Sequence, residues 1–185
     1  MDTRTPGERG GVALSHADRP IPSRQRLLLA TVPADGVLLV AGLCAAWWAG
    51  TGAGRQWFVP GWVGAFVLAW LVLMLGRVPR PEVRRFSQRK DVRTAREQAR
   101  RTGRLPESPS VRVGAAARSC DQLELTVLLL TAGVATALGI LLWPALPWPG
   151  IAVVWAALTA LSLAGAVRGW SYLRLYEAGR WSPSA

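Results

Sequence analysis

A chain of 185 residues would suit one soluble domain, but 51% of these residues are apolar and they come in blocks rather than in amphipathic periods, which excludes an ordinary water-soluble core. The formal charge of +11 and the pI near 11.5 are common in nucleic-acid-binding proteins. The same excess arises where arginine-rich loops orient membrane helices, and the long tracts here with no charge at all favour that origin.

Residues 1–26 are rich in Gly, Pro, Ser, Asp and Arg and have no apolar period, so a disordered basic tail is expected, with His16 as a solvated side chain. Leu27 to Gly50 is the first apolar run, interrupted by Pro33 and Asp35. Its unbroken part, 36–49, is too short for a hydrocarbon core of about 30 Å, which needs about 20 helical residues. A full span ending at Trp47 and Trp48 has to reach back past Asp35, and an ionisable residue at that depth is a candidate for coupling to a proton or cation, or for pairing with a neighbouring helix. The alternative reading makes Pro33-Ala34-Asp35-Gly36 a helix start, with Asp35 capping free amides at the interface. Small residues from Ala49 to Ala53 would also follow a cleaved signal peptide, but the long basic tail and the paired tryptophans argue for a retained span.

The second run, Trp57 to Gly76, is long enough to span, with Pro60 in its first turn, where proline is tolerated. Residues 27–76 therefore read as a first transmembrane hairpin. The segment 77–120 follows, with 13 basic residues against four carboxylates. Within it Asp91 to Thr102 predicts a helix, with Val92, Ala95 and Ala99 on one face and Glu97 with Arg101 as an i,i+4 pair. Gly103 and Pro106 predict its end, and Ser108 with Pro109 predicts the start of a further helix that continues into the third span. The thin apolar face of this basic unit calls for a covering surface: the anionic inner leaflet, a protein partner or a second copy of the chain. Arg84, Arg85, Arg89, Lys90, Arg93, Arg96, Arg100 and Arg101 are the candidate contacts to that lipid or partner. With little aromatic interleaving beyond Phe86 and no reading motif, nucleic acid is not expected.

The third run is Leu125 to Trp143 and the fourth is Ile151 to Val167, giving a second hairpin over 121–170, with 171–185 as an interfacial helix end and tail. Asp121 and Glu124 share a helical face with Arg118, which is expected to neutralise them together with loop arginines. Thr131, Ala135 and Gly139 form a small-residue stripe, and Ala156, Ala160 and Ala164 a matching one, predicting close packing of these two helices. Counted by side, 21 Lys and Arg accompany the two tails and the central segment, against Arg55 alone in the short loops. This asymmetry predicts both termini and the central segment in the cytoplasm, with Trp47, Trp48, Trp57, Trp62, Trp143 and Trp148 forming an outer belt.

The expected architecture is thus an all-α membrane protein of four transmembrane helices, two hairpins joined by a basic, largely helical cytoplasmic loop. Cys44 and Cys120 would lie at different depths, so neither a disulfide nor a metal site is expected. No phosphate cradle, nucleophile–base pair or metal cluster stands in the sequence, so neither enzymatic activity nor a cofactor is expected. A non-catalytic interaction protein leads. A small oligomeric transporter or channel with Asp35 as coupling residue is the alternative. Arginine in place of lysine, with Lys90 the single exception, and abundant Ala, Gly, Leu and Val point to a high-GC bacterial genome. The loop sequence ARRTGRLPESPSVR, flanked by spans, resembles four-helix membrane proteins of actinobacteria in which a GRLP turn joins two cytoplasmic helices. That resemblance implies a structured loop and no activity.

Overall fold

The computed structural model describes residues 21–52, 54–77, 80 and 86–181, with backbone alone for 86–91 and 179–181. Among the described residues the regular structure is helical throughout: α1 (Arg24–Gly50), a 3-10 turn (Arg55–Trp57), α2 (Phe58–Leu75), α3 (Phe86–Thr102), α4 (Pro109–Leu142) and α5 (Trp148–Trp181). Four of these helices, α1, α2, α4 and α5, are long and apolar enough to cross a membrane. The architecture is the one the apolar blocks predict. His16, Pro79, Pro81, the rest of 1–20 and residues 182–185 lie outside the described residues.

Of the two readings of the first run, the structure has the longer span that includes Asp35. α1 begins at Arg24 rather than near Asp35, so Asp35 lies inside the helix and does not cap it. Pro33 is accommodated within α1. A proline there removes one backbone hydrogen bond, a loss that transmembrane helices absorb through neighbouring groups. α3 begins at Phe86, a full turn before Asp91. Its end is as predicted: Gly103 takes φ +67°, a left-handed conformation suited to glycine, and its amide closes on the Ala99 carbonyl at 2.9 Å. Pro109 opens α4, and the Arg112 amide bonds the Ser108 carbonyl at 3.0 Å.

The chain forms two compact units. One is apolar, 25–77 with 123–165; the other is basic, comprising the described residues of 1–24, 78–122 and 166–185.

In the apolar unit two large indoles fill notches left by glycine. Trp62 lies over Gly42, where an added Cβ would come within 2.5 Å of its ring, and Trp148 lies over Gly139, where the approach would be 2.1 Å. Phe58 and Trp62 both meet Trp148 edge to face, with centroids 4.7 and 5.5 Å apart. Trp62 and Trp148 are therefore core residues and not part of an outer belt, because a glycine on the facing helix makes room for each. Trp47, Trp48 and Trp57 are exposed, as belt residues would be. The stripe of Thr131, Ala135 and Gly139 lies at least partly within the packing. Ala156, Ala160 and Ala164 do not mirror it: all three are exposed, and α5 instead buries Ile151 and Trp155. The bulk of Trp155, packed against Phe66 with the rings tilted by 43° and their centroids 4.6 Å apart, determines which side of α5 turns inward.

In the basic unit α3 buries Val92, Ala95 and Ala99, so its apolar face is covered within the chain itself. α4 contributes Val113, Ala115, Ala116, Ala117, Ser119 and Cys120 to this core, and α5 contributes Ala166, Tyr172 and Leu173. Tyr172 Oη donates to the Arg112 carbonyl at 3.2 Å. Gly169 packs directly on the backbone of Ser119, where a Cβ would lie 3.2 Å from the Ser119 oxygen.

Candidate functional site

The basic unit is assembled by arginines that cross between elements. Arg24 donates from its backbone amide and its Nε to the two oxygens of Glu177, both at 2.7 Å, while its guanidinium lies 4.8 Å over the ring of Trp170. Arg80 pairs with Asp121 at 3.0 Å. Arg96 Nη2 donates to Gln122 Oε1 at 2.5 Å, fixing α3 to α4. In the apolar unit Arg77 reaches Glu124 at 2.8 Å, and that carboxylate is only 2% exposed. Asp121 and Glu124 are thus neutralised by the arginines that follow α2. Arg118, on their own helix, is exposed and pairs with neither.

The basic residues singled out in the sequence separate into different environments. Arg93 and Arg100 are exposed on α3, and Arg101 is exposed with Glu97 at 2.8 Å. Arg96 departs from them: it is 9% exposed, on the same side as Val92 and Ala99. Its burial, and then the charges of Arg118 and Arg168, hold its guanidinium below the usual arginine range. Arg89 and Lys90 fall on the helical backbone of α3, and Arg84 and Arg85 lie outside the described residues. Sequence reasoning passed over Arg118 and Arg168 as site residues. The available signal was Arg168 itself, the first charge after the uncharged run 151–167.

Asp35 occupies a distinct place in the apolar unit. The hydroxyls of Thr131 on α4 and Thr31 on α1 stand beside its carboxyl, and its Oδ1 is buried without a hydrogen-bond partner. Thr31 is itself buried and gives its own proton to the Leu28 carbonyl at 2.8 Å. No protein family, curated protein or solved structure matches this chain. What the two regions can do follows from their own side chains. The exposed guanidinium groups of the basic unit suit phosphate and carboxylate ligands. A carboxyl flanked by hydroxyls among apolar helices suits a proton or a small cation. Among the described residues no group of three His, Cys, Asp or Glu could hold a metal ion.

Proposed function

We propose that the chain is a non-catalytic, multi-pass protein of the bacterial inner membrane, with both termini and the α3–α4 segment in the cytoplasm, whose basic unit engages the anionic inner leaflet as a scaffold or accessory subunit. The observation that carries this reading is the partition of charge in the basic unit. Asp121 and Glu177 are held by Arg80 and Arg24, while Arg93 and Arg100 face outward from a helix whose apolar side is already buried. Such a surface gains about 1 kcal/mol per arginine beside an anionic leaflet, an attraction that salt screens.

The test is lipid selectivity. Full-length protein is reconstituted with spin-labelled phosphatidylglycerol or phosphatidylcholine, and the fraction of motionally restricted label is measured. We expect the anionic lipid to be preferred by about threefold at low salt. The preference should fall in 0.5 M salt and in the triple variant R93Q/R100Q/R101Q. Equal association of the two lipids with the wild-type protein would refute the reading.

The surroundings of Asp35 favour a second reading, a small oligomeric transporter subunit with Asp35 as its coupling residue. In that case wild-type protein in sealed vesicles carries a proton- or cation-dependent flux, and Asp35→Asn lowers it by about tenfold or more. Absence of flux from the wild-type protein removes this reading.

A further inference from the structure

We propose that Arg118 and Arg168, backed by Arg96, form a discrete site for the phosphate of one inner-leaflet lipid, selective for a doubly charged headgroup over a singly charged one. The proposal deepens the inner-leaflet reading and rests on it.

Three helices bring these arginines within about one helical turn of each other. Gly169 packs on the Ser119 backbone, and the two helices run antiparallel, so Arg118 on α4 and Arg168 on α5 flank this contact, about 3 Å apart along the axes. Arg96 of α3 is fixed to Gln122, which lies one helical turn beyond Arg118 and on the same face of α4. Absence of a Cβ at residue 169 is what permits this approach of α5 to α4. The Tyr172 bond to the Arg112 carbonyl, one turn from Arg168 along α5, holds the pairing in place.

The charges differ in how they are presented. Arg118 and Arg168 are exposed, and neither has an ion-pair partner among the described residues. Arg96 is buried, oriented by Gln122, and close enough that the charges of the other two lower its affinity for its proton. Three guanidinium groups gathered within about one helical turn repel each other, and a ligand with two negative charges offsets that repulsion better than a ligand with one. Two exposed forks can also share one phosphate through paired N–H···O bonds, which a single fork cannot do.

The position indicates a lipid source. Arg168 is the first charged residue after the uncharged run 151–167, so it stands where a span meets the headgroup layer. Phosphate of the same chemistry could come from solution, and the experiment separates the two sources.

Full-length protein is reconstituted with spin-labelled phosphatidate or phosphatidylglycerol, and the ratio of their association is measured. The wild-type ratio is expected to be about five or more, and R118Q/R168Q should bring it to about one. R118K/R168K, which keeps charge but loses the forks, should give an intermediate value and serves where the glutamine variant does not fold. The α3 variant R93Q/R100Q/R101Q should weaken both lipids alike and leave the ratio unchanged. If that α3 variant has no effect on either lipid, the broader surface reading fails while the ratio still reports on this site. An unaltered ratio in folded R118Q/R168Q overturns the proposal. Displacement of labelled phosphatidate by millimolar inorganic phosphate overturns the lipid assignment.

Discussion

Replacing Arg77 with alanine is expected to lower the stability of the apolar unit by about 3 kcal/mol, more than any other single removal of charge from this unit. Its Nε and Nη2 lie 2.9 and 2.8 Å from Oε2 of Glu124, a carboxylate that is almost fully enclosed, while Arg77 itself retains access to solvent. The pair is therefore asymmetric. Losing Arg77 deprives a buried anion of the charge-assisted contacts that this guanidinium gives it, whereas Glu124→Gln keeps an acceptor of the same shape and leaves a cation that can turn outward. That second change should cost about 1 kcal/mol. The double variant R77L/E124L removes both charges and should recover most of the loss, because burying an ion pair is nearly offset by its own desolvation. Unfolding in mixed micelles, followed by tryptophan fluorescence, measures all three. A cost for R77A no greater than for E124Q would show that Glu124 does not depend on this guanidinium.

That pair also marks where sequence reasoning stops. Helix ends were legible because they rest on local chemistry: Gly103 has to take a positive φ to end α3, and Pro109 suits the first turn of α4. The four spans were legible from length and apolarity. For Asp121 and Glu124 the sequence predicts loop arginines in general, and Arg77 and Arg80 are two of these, but it cannot say which, and helical periodicity, which compares residues on one helix, adds Arg118. The arginines that bind them stand 41 and 47 residues earlier in the chain. For Asp35 the sequence leaves two readings, a cap and a place inside a longer span, and the structure has the second. Pro33 and Gly36 resemble a helix boundary in water, but a membrane penalises unsatisfied backbone groups so heavily that the helix continues through them. The inner side of α5 was assigned to small residues by analogy with the stripe on α4. Burying an aromatic contributes more than burying an alanine, and Trp155 turns Ala156, Ala160 and Ala164 outward. In the basic unit, arginine-rich sequence alone could not separate the outward Arg93 from the buried Arg96, three residues away on the same helix.

The largest packing effect is expected at Trp148, where replacement by alanine should cost about 4 kcal/mol. The indole touches Phe58 and Trp62 edge to face, donates its Nε1–H to the Trp143 carbonyl at 2.8 Å and occupies the notch at Gly139. Each contact involves a different neighbour, so no single rearrangement fills the space left behind. The notch can be tested from its other side. A methyl at residue 139 would lie 2.1 Å from Cη2 of the indole, so Gly139→Ala forces the ring or the helix to move and should cost about 2 kcal/mol. Gly133 lies on the same helix with nothing within 4 Å of an added Cβ, and Gly133→Ala should be neutral or slightly stabilising. Helix propensity acts alike at both glycines, so the difference between them isolates the clash. Trp148→Phe shortens the ring that fills the notch. In the double variant G139A/W148F the two costs should therefore sum to at least about 1 kcal/mol less than the single variants predict. Strict additivity in this cycle would mean that the indole and the glycine do not constrain each other, and that some other contact fixes the approach of α4 to α5 at this level.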